Sequence, residues 1–212
     1  MAIISNGMFG GFSGKVGAVI GYQRNGVACM RSVPANVANP RSLAQKEQRA
    51  KFNLALSFTR SINGVVKIGF RNCKGKMSAM NYAMSYTMKN AIRGSFPDLS
   101  IDYSNILVSK GPLTGALKPT ITSIVSGEIV FSWEDNSADD LACFSDETMI
   151  LAINSARMES VFATGETIRS DGTQSLTVPI GYSGEFLECY ITFADARGKL
   201  ADSNYIGQVM VA

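Results

Sequence analysis

The sequence contains no histidine. That removes the commonest general acid–base, the commonest metal-ligating side chain and the usual switch near neutral pH. Cysteine is sparse: Cys29, Cys73, Cys143 and Cys189 stand far apart, with no C-x-x-C pair. A zinc site needs close pairs or histidines, so no metal or other cofactor is expected. Four free thiols in a reducing compartment are the reading, with Cys143 and Cys189 the one pair placed to form a disulfide. Long apolar runs are missing as well. No stretch of 18 apolar residues occurs, so no membrane-spanning helix is expected. Met1-Ala-Ile-Ile-Ser-Asn-Gly7 lacks the basic start and apolar run of a signal peptide. The expectation is cytoplasmic synthesis, with a virion or released particle as the destination.

Charge is also scarce, at 17% of residues against 46% hydrophobic. Such a chain is globular rather than disordered, and its surface suits burial in an assembly. The charge present is divided. Residues 1–111 hold fifteen Lys/Arg against three acids, a net of +12; residues 112–212 hold five against fourteen, a net of −9. Such asymmetry points to a basic segment with an acidic or polyanionic partner. It also suggests a boundary: a basic domain over 1–110, a linker over 111–118, and an acidic domain over 119–212.

The first half opens on glycines interleaved with large apolar residues: Gly7, Gly10, Gly11, Gly14, Gly17 and Gly21 among Phe12, Val16 and Val19. A flexible linker lacks such apolar groups. Here the spacing suits close backbone approach or positive φ. Arg24-Asn25-Gly26 between two apolar runs predicts a hairpin over 15–33. Ser42 is a candidate N-cap for a helix over 43–62, where Leu54, Phe58 and Ile62 share a face. Val65–Phe70 is ambiguous between helix and strand. A second helix is predicted over 78–93 by Met80, Met84 and Met88, with Gly94 as its C-cap. Ile101–Ser109 alternates as a strand does. Beyond the linker, seven short strands are predicted: 120–125, 128–134, 149–154, 159–163, 175–179, 186–194 and 205–211. Turn residues separate them, a β-sandwich pattern.

Catalytic motifs are not found. Gly11-Phe12-Ser13-Gly14-Lys15 lacks the Ser/Thr and the following helix of a phosphate loop. Ser13 and Lys15 do not form an S-x-x-K pair on a helix. The acids around Glu134–Glu147 miss the calcium-loop spacing and read as solvated loop charge. The chain is therefore read as non-enzymatic. Basic residues do crowd two places. Arg41, Lys46, Arg49 and Lys51 surround the start of the first helix, and Lys67, Arg71, Lys74 and Lys76 flank Phe70. They fit sequence-independent nucleic-acid binding, or docking on an acidic sandwich of the same or a neighbouring chain.

Three resemblances follow from longer stretches. Phe131-Ser132-Trp133 early and Tyr190–Gly198 late resemble fibronectin type III domains over residues 118–212, which implies a Greek-key sandwich. Ser5–Gly21, Met30–Pro34 and Asn39–Phe52 are similar to an uncharacterised domain family common in Bacteroidota, which brings no established activity. The segment Asn39, Pro40, Arg41, Ser42, Ala44, Gln45, Arg49 and Phe52 also resembles small bacteriophage virion proteins.

Together these readings predict an α+β chain. A Gly-rich β-hairpin with two α-helices precedes an all-β sandwich of the immunoglobulin or fibronectin III kind. The function expected is structural: a self-associating subunit of a phage-like virion or other extracellular particle. Its partners are itself or other particle subunits, and its tight packing surface is built from Gly10, Gly11, Phe12, Gly14, Val16, Gly17 and Gly21. The opposite-charge halves set subunit order, closing a ring or opening a filament. The alternatives are a nucleic-acid-binding protein using the basic half, and a module that binds a glycan or protein.

Overall fold

A computed structural model of the chain describes residues 3–4, 11–24, 26–35, 41–72, 77–139 and 141–212. The backbone divides into two units, Met1–Ser42 and Leu43–Ala212.

The first unit is an antiparallel sheet of β1 (Ile3–Ile4), β2 (Phe12–Val16), β3 (Val19–Arg24) and β4 (Val27–Ser32), paired in that order. The predicted turn at 24–26 falls between β3 and β4, where Arg24 pairs with Val27. A second turn enlarges the predicted hairpin. Gly17 adopts a left-handed φ of 56°, which lets Val16 pair directly with Val19 and adds β2.

The second unit begins with α1 (Leu43–Ser61), α2 (Asn63–Gly69) and α3 (Ala79–Asn90). The hairpin β5 (Ile92–Ser95) and β6 (Asp98–Ile101) follows. Seven strands complete it: β7 (Leu117–Thr122), β8 (Glu128–Glu134), β9 (Glu147–Asn154), β10 (Glu159–Ile168), β11 (Thr173–Thr177), β12 (Phe186–Ala194) and β13 (Asn204–Met210). They form a sandwich of two sheets, β11-β8-β7 and β10-β9-β12-β13.

Period-two alternation explains β8, where Ile129, Phe131 and Trp133 are buried and Glu134 is exposed. The two central strands of the larger sheet behave differently, because both of their faces are covered. Ile150, Ala152, Leu187, Cys189, Ile191 and Phe193 point into the core between the sheets. Met149, Leu151, Ile153 and Tyr190 point the other way, into a second core shared with Phe58, Ile62, Val65 and Phe70 of the helical segment. The architecture is therefore three layers: a small sheet, a larger sheet and a helical layer. Even Glu188, on the helix-facing side of β12, is buried, its carboxylate accepting from Tyr205 Oη at 2.6 Å and Gln208 Nε2 at 3.2 Å.

Several expectations change here. The composition break near residue 111 does not coincide with a break in packing, since residues 43–110 share a core with the sandwich. The described residues hold three helices rather than two. The ambiguous Val65–Phe70 stretch is helical because Val65, Val66 and Gly69 at i, i+1 and i+4 form one buried face. Gly94 does not cap α3, which ends at Asn90; it takes φ 85° within β5, where an added Cβ would meet the Asp98 carbonyl. The predicted strand over 101–109 is broken at Asp102. Its carboxylate accepts from Ser104 Oγ at 2.7 Å and Asn105 Nδ2 at 2.5 Å, folding Tyr103–Asn105 into a 3₁₀ turn.

The five ion pairs between described residues each close within one of the two halves of opposite charge. Lys51–Glu47 and Arg93–Asp102 close within the basic half. Lys118–Glu134, Arg157–Glu185 and Arg169–Asp146 close within the acidic half. Apolar burial and a few hydrogen bonds hold the layers together, among them Tyr190 Oη to the Tyr103 carbonyl at 2.6 Å and Ser160 Oγ to the Ser61 carbonyl at 2.6 Å.

Candidate functional site

The glycine-rich residues singled out in the sequence converge on the first unit's sheet, apart from Gly10, which lies outside the described residues. By register, Phe12, Gly14, Val16, Val19, Gly21 and Met30 share one face. Gly14 pairs with Gly21, and a Cβ on Gly21 would lie 2.6 Å from the Phe12 ring, so the ring lies down on bare backbone. Gly11 approaches Ala28 as closely, at 2.7 Å for an added Cβ. This face carries no charge among the described residues, and Val16 and Met30 stand 52% and 72% exposed. The opposite face is basic: Lys15, Ile20 and Arg31 lie in one row, with the Arg31 guanidinium 6.0 Å from the Tyr22 ring centre.

The candidate basic residues are divided between the two units. Arg41 belongs to the first unit, whereas Lys46, Arg49, Lys51, Lys67 and Arg71 belong to the second. Lys51 pairs with Glu47 at 2.7 Å, and Arg71 Nε donates to the Gly198 carbonyl at 3.0 Å. Lys74 and Lys76 lie outside the described residues. Lys46 and Arg49 are exposed residues of α1.

Two features of the second unit go beyond the sequence reading, which noted the methionines and the acids around 134–147 but neither a groove nor exposed apolar side chains beside them. The first is a groove between α1 and α3. Phe52, Met84 and Met88 line it, with Gln48 and Lys89 at its edge, and it encloses about 450 Å³. A second hollow of about 420 Å³ continues past Phe52 to Arg49 and Asn53. The methionine stripe thus serves two purposes: Met84 is buried and Met88 is half-buried in the groove. A thioether floor of this kind adapts to differently shaped apolar partners.

The second feature is the loop between β8 and β9. It presents Leu141 and Phe144 to solvent, 55% and 62% exposed, beside the exposed acids Asp135, Asp139 and Glu147. The loop is well anchored. Arg169, fully buried, donates from Nε and Nη2 to Asp146 Oδ2, both at 3.1 Å, and from Nη1 to Asn136 Oδ1 at 2.6 Å. Its remaining donors take the carbonyls of Thr114 at 2.9 Å and Gly115 at 3.2 Å, and its guanidinium carbon sits 3.8 Å from the Phe193 ring centre. Asp146 in turn accepts from the Cys143 amide at 2.9 Å, and Ser170 N donates to the Phe144 carbonyl at 3.3 Å. Burial lowers the Arg169 pKa from the ordinary arginine range, and Asp146 opposes that shift. Isolated aliphatic residues among acids were the available sign of this loop, but only the fold shows them exposed.

Cys29, Cys143 and Cys189 are free thiols; Cys143 is exposed on this loop while Cys189 is buried between the sheets. Among the described residues no cluster of three or more His, Cys, Asp or Glu is placed to hold a metal ion. No described helix is long and apolar enough to cross a membrane.

Two carboxylates make stability pH-dependent. Hydrogen bonds from Ser104 and Asn105, with Arg93 at 2.5 Å, hold the Asp102 carboxyl below its ordinary value of 3.8. Hydrogen bonds from Arg157, the shortest at 2.6 Å, and from Asn154 hold Glu185 below 4.5. Because both folded values are depressed, the stabilisation is complete above the ordinary values and is lost as pH falls through the folded ones. Thermal melts between about pH 5 and pH 2 should show a falling midpoint, and the D102N/E185Q protein a flatter acid limb. Equal slopes for both proteins would contradict this assignment.

The fold and these surfaces define a class: an antiparallel two-sheet β-sandwich with a helical layer on one sheet, together with a glycine-rich sheet in a unit of its own. The chain belongs to a family of unknown function, DUF6266, whose model matches residues 11–207. Among solved structures, the fibronectin III domain of the human collagen α-1(XX) chain is 6% identical with a TM-score of 0.37, covering 49% of this chain and 90% of that one. A computationally redesigned β-sandwich protein is 10% identical with a TM-score of 0.34, covering 48% and 94%. No curated protein matches the chain.

Proposed function

We propose that the protein is a non-enzymatic structural subunit that self-associates into a larger particle, with the glycine-rich sheet as a packing surface. The observation that carries this reading is the apolar face of that sheet. An antiparallel sheet ordinarily buries one face, and among the described residues of its own unit this one has no second layer to cover it. Residues 1–42 contain four cations and no acid. Two copies meeting on the uncharged face keep those cations apart, whereas contact through the basic faces would set like charges together. The virion-like stretch 39–52 supports a phage-like particle as the assembly.

Light scattering on the purified full chain is expected to give a defined oligomer. Val16 and Met30 are exposed, so the V16K/M30K protein should fold normally and dissociate, with a dissociation constant raised roughly tenfold or more. A wild-type chain that stays monomeric at high concentration would overturn the reading.

A further inference from the structure

We propose that the chain carries a second, head-to-tail contact with another copy of itself, resting on the self-association reading above. The Leu141/Phe144 loop of one copy seats in the Phe52–Met88 groove of the next.

Four observations support this pairing. The signs of charge are opposite: Lys89 borders the groove, while Asp135, Asp139 and Glu147 stand exposed around the loop. Opposed charges at the edge of a contact steer the partners and set their register. The apolar elements also match in kind. Two hydrophobic side chains project from the loop, and Phe52, Met84 and Met88 give the groove an apolar lining to receive them. Third, the loop is presented in a fixed shape by the Arg169–Asp146 cluster, which reduces the ordering cost of binding. Finally, loop tip and Phe52 are both solvent-exposed in the same chain, so neither is covered by the other within it.

The two surfaces are different, so the contact is heterologous. Each copy offers one loop and one groove, and the series closes as a ring or continues as a filament. The area at two anchors is small, and the stacking step is weak alone. It gains strength from the sheet contact of the first unit, which raises the effective concentration of neighbouring copies. The charge separation noted in the sequence acquires a use here, since it runs from the helical layer to the sandwich loop.

The test uses full-length protein in two forms, F52E for the groove and L141S/F144S for the loop. Each form should lose stacking beyond the sheet-mediated species, with self-affinity reduced roughly tenfold or more. An equimolar mixture should form a one-to-one stacked pair, because one form keeps the loop and the other keeps the groove. Charge reversal provides a check that leaves the apolar groups in place: K89E should weaken stacking, and K89E/D139K should restore it. If wild type is oligomeric while both forms stack as it does, this contact is overturned and the self-association reading stands. Two well-folded forms that each lose stacking yet fail to complement one another also overturn it, as does a groove occupied by a co-purifying protein. A wild-type chain that is monomeric under all conditions removes both proposals.

Discussion

Replacing Arg169 with alanine is expected to lower the unfolding free energy by about 3–5 kcal/mol. Arg169 is fully buried and its partner Asp146 is 2% exposed at the side chain. Removing one member leaves the other charge buried without its partner, which costs more than the intact pair contributes. Two further acceptors lose their donor at once, Asn136 Oδ1 and the Thr114 carbonyl, and the Gly115 carbonyl is left with Asn136 Nδ2 alone. Chemical denaturation followed by the fluorescence of Trp133 measures the effect, since the indole packs edge-on to Phe193, the ring under the guanidinium. A paired R169M/D146L replacement should recover much of the loss, because no isolated charge remains. A cost below about 1 kcal/mol for R169A would mean that the cluster is not the anchor described. The same substitution releases the base of the 135–147 loop, so stacking should weaken along with stability.

The second large effect is expected at Phe58. Truncation to alanine should cost about 3–5 kcal/mol, as for other buried aromatic side chains. Phe58 is fully buried in the core between α1 and the larger sheet and meets Tyr103 edge-on at 6.0 Å. The informative readout lies elsewhere. Trp133 belongs to the other core, between the two sheets, yet its unfolding midpoint should fall with the global one. β9 and β12 send alternate side chains into both cores, so neither core survives loss of the other. A Trp133 transition unmoved by F58A would show that residues 43–110 fold independently of the sandwich.

That coupling marks the limit of what periodicity conveys. All seven sandwich strands are foreseen to within a few residues, and β8 and β12 match to the residue, because alternation and turn residues are local signals. The burial of Trp133 follows from the same alternation. The second covered face of β9 and β12 is a different matter. Met149–Ile153 reads equally as a strand buried on both sides or as a piece of buried helix. Glu188 and Thr192 look like a solvent face until Tyr205, Gln208 and Ser109 supply their hydrogen bonds. The short apolar stretch at 65–70 is settled in the same way, by the neighbour it packs against.

The candidate surfaces divide along this line too. The glycine spacing of residues 11–21 suits close backbone approach or positive φ; which glycine does which is seen only in the fold, Gly21 lying against Phe12 and Gly17 taking φ 56°. Nothing local announces that Phe52 and Met88 enclose a groove, or that Leu141 and Phe144 project outward from an acidic loop. Both depend on which face of an element remains after its neighbours are packed.

The sequence by itself determined the sandwich strands, the lack of histidine chemistry, the glycine-rich sheet and the separation of charge along the chain. These depend on residue type and on spacing over a few positions. Only the tertiary structure decided that the basic helices and acidic sandwich are one unit, and that Arg169 is the buried anchor of the 135–147 loop. Burial arises from contacts between residues far apart in sequence, and no local pattern records which of two apolar faces meets a partner.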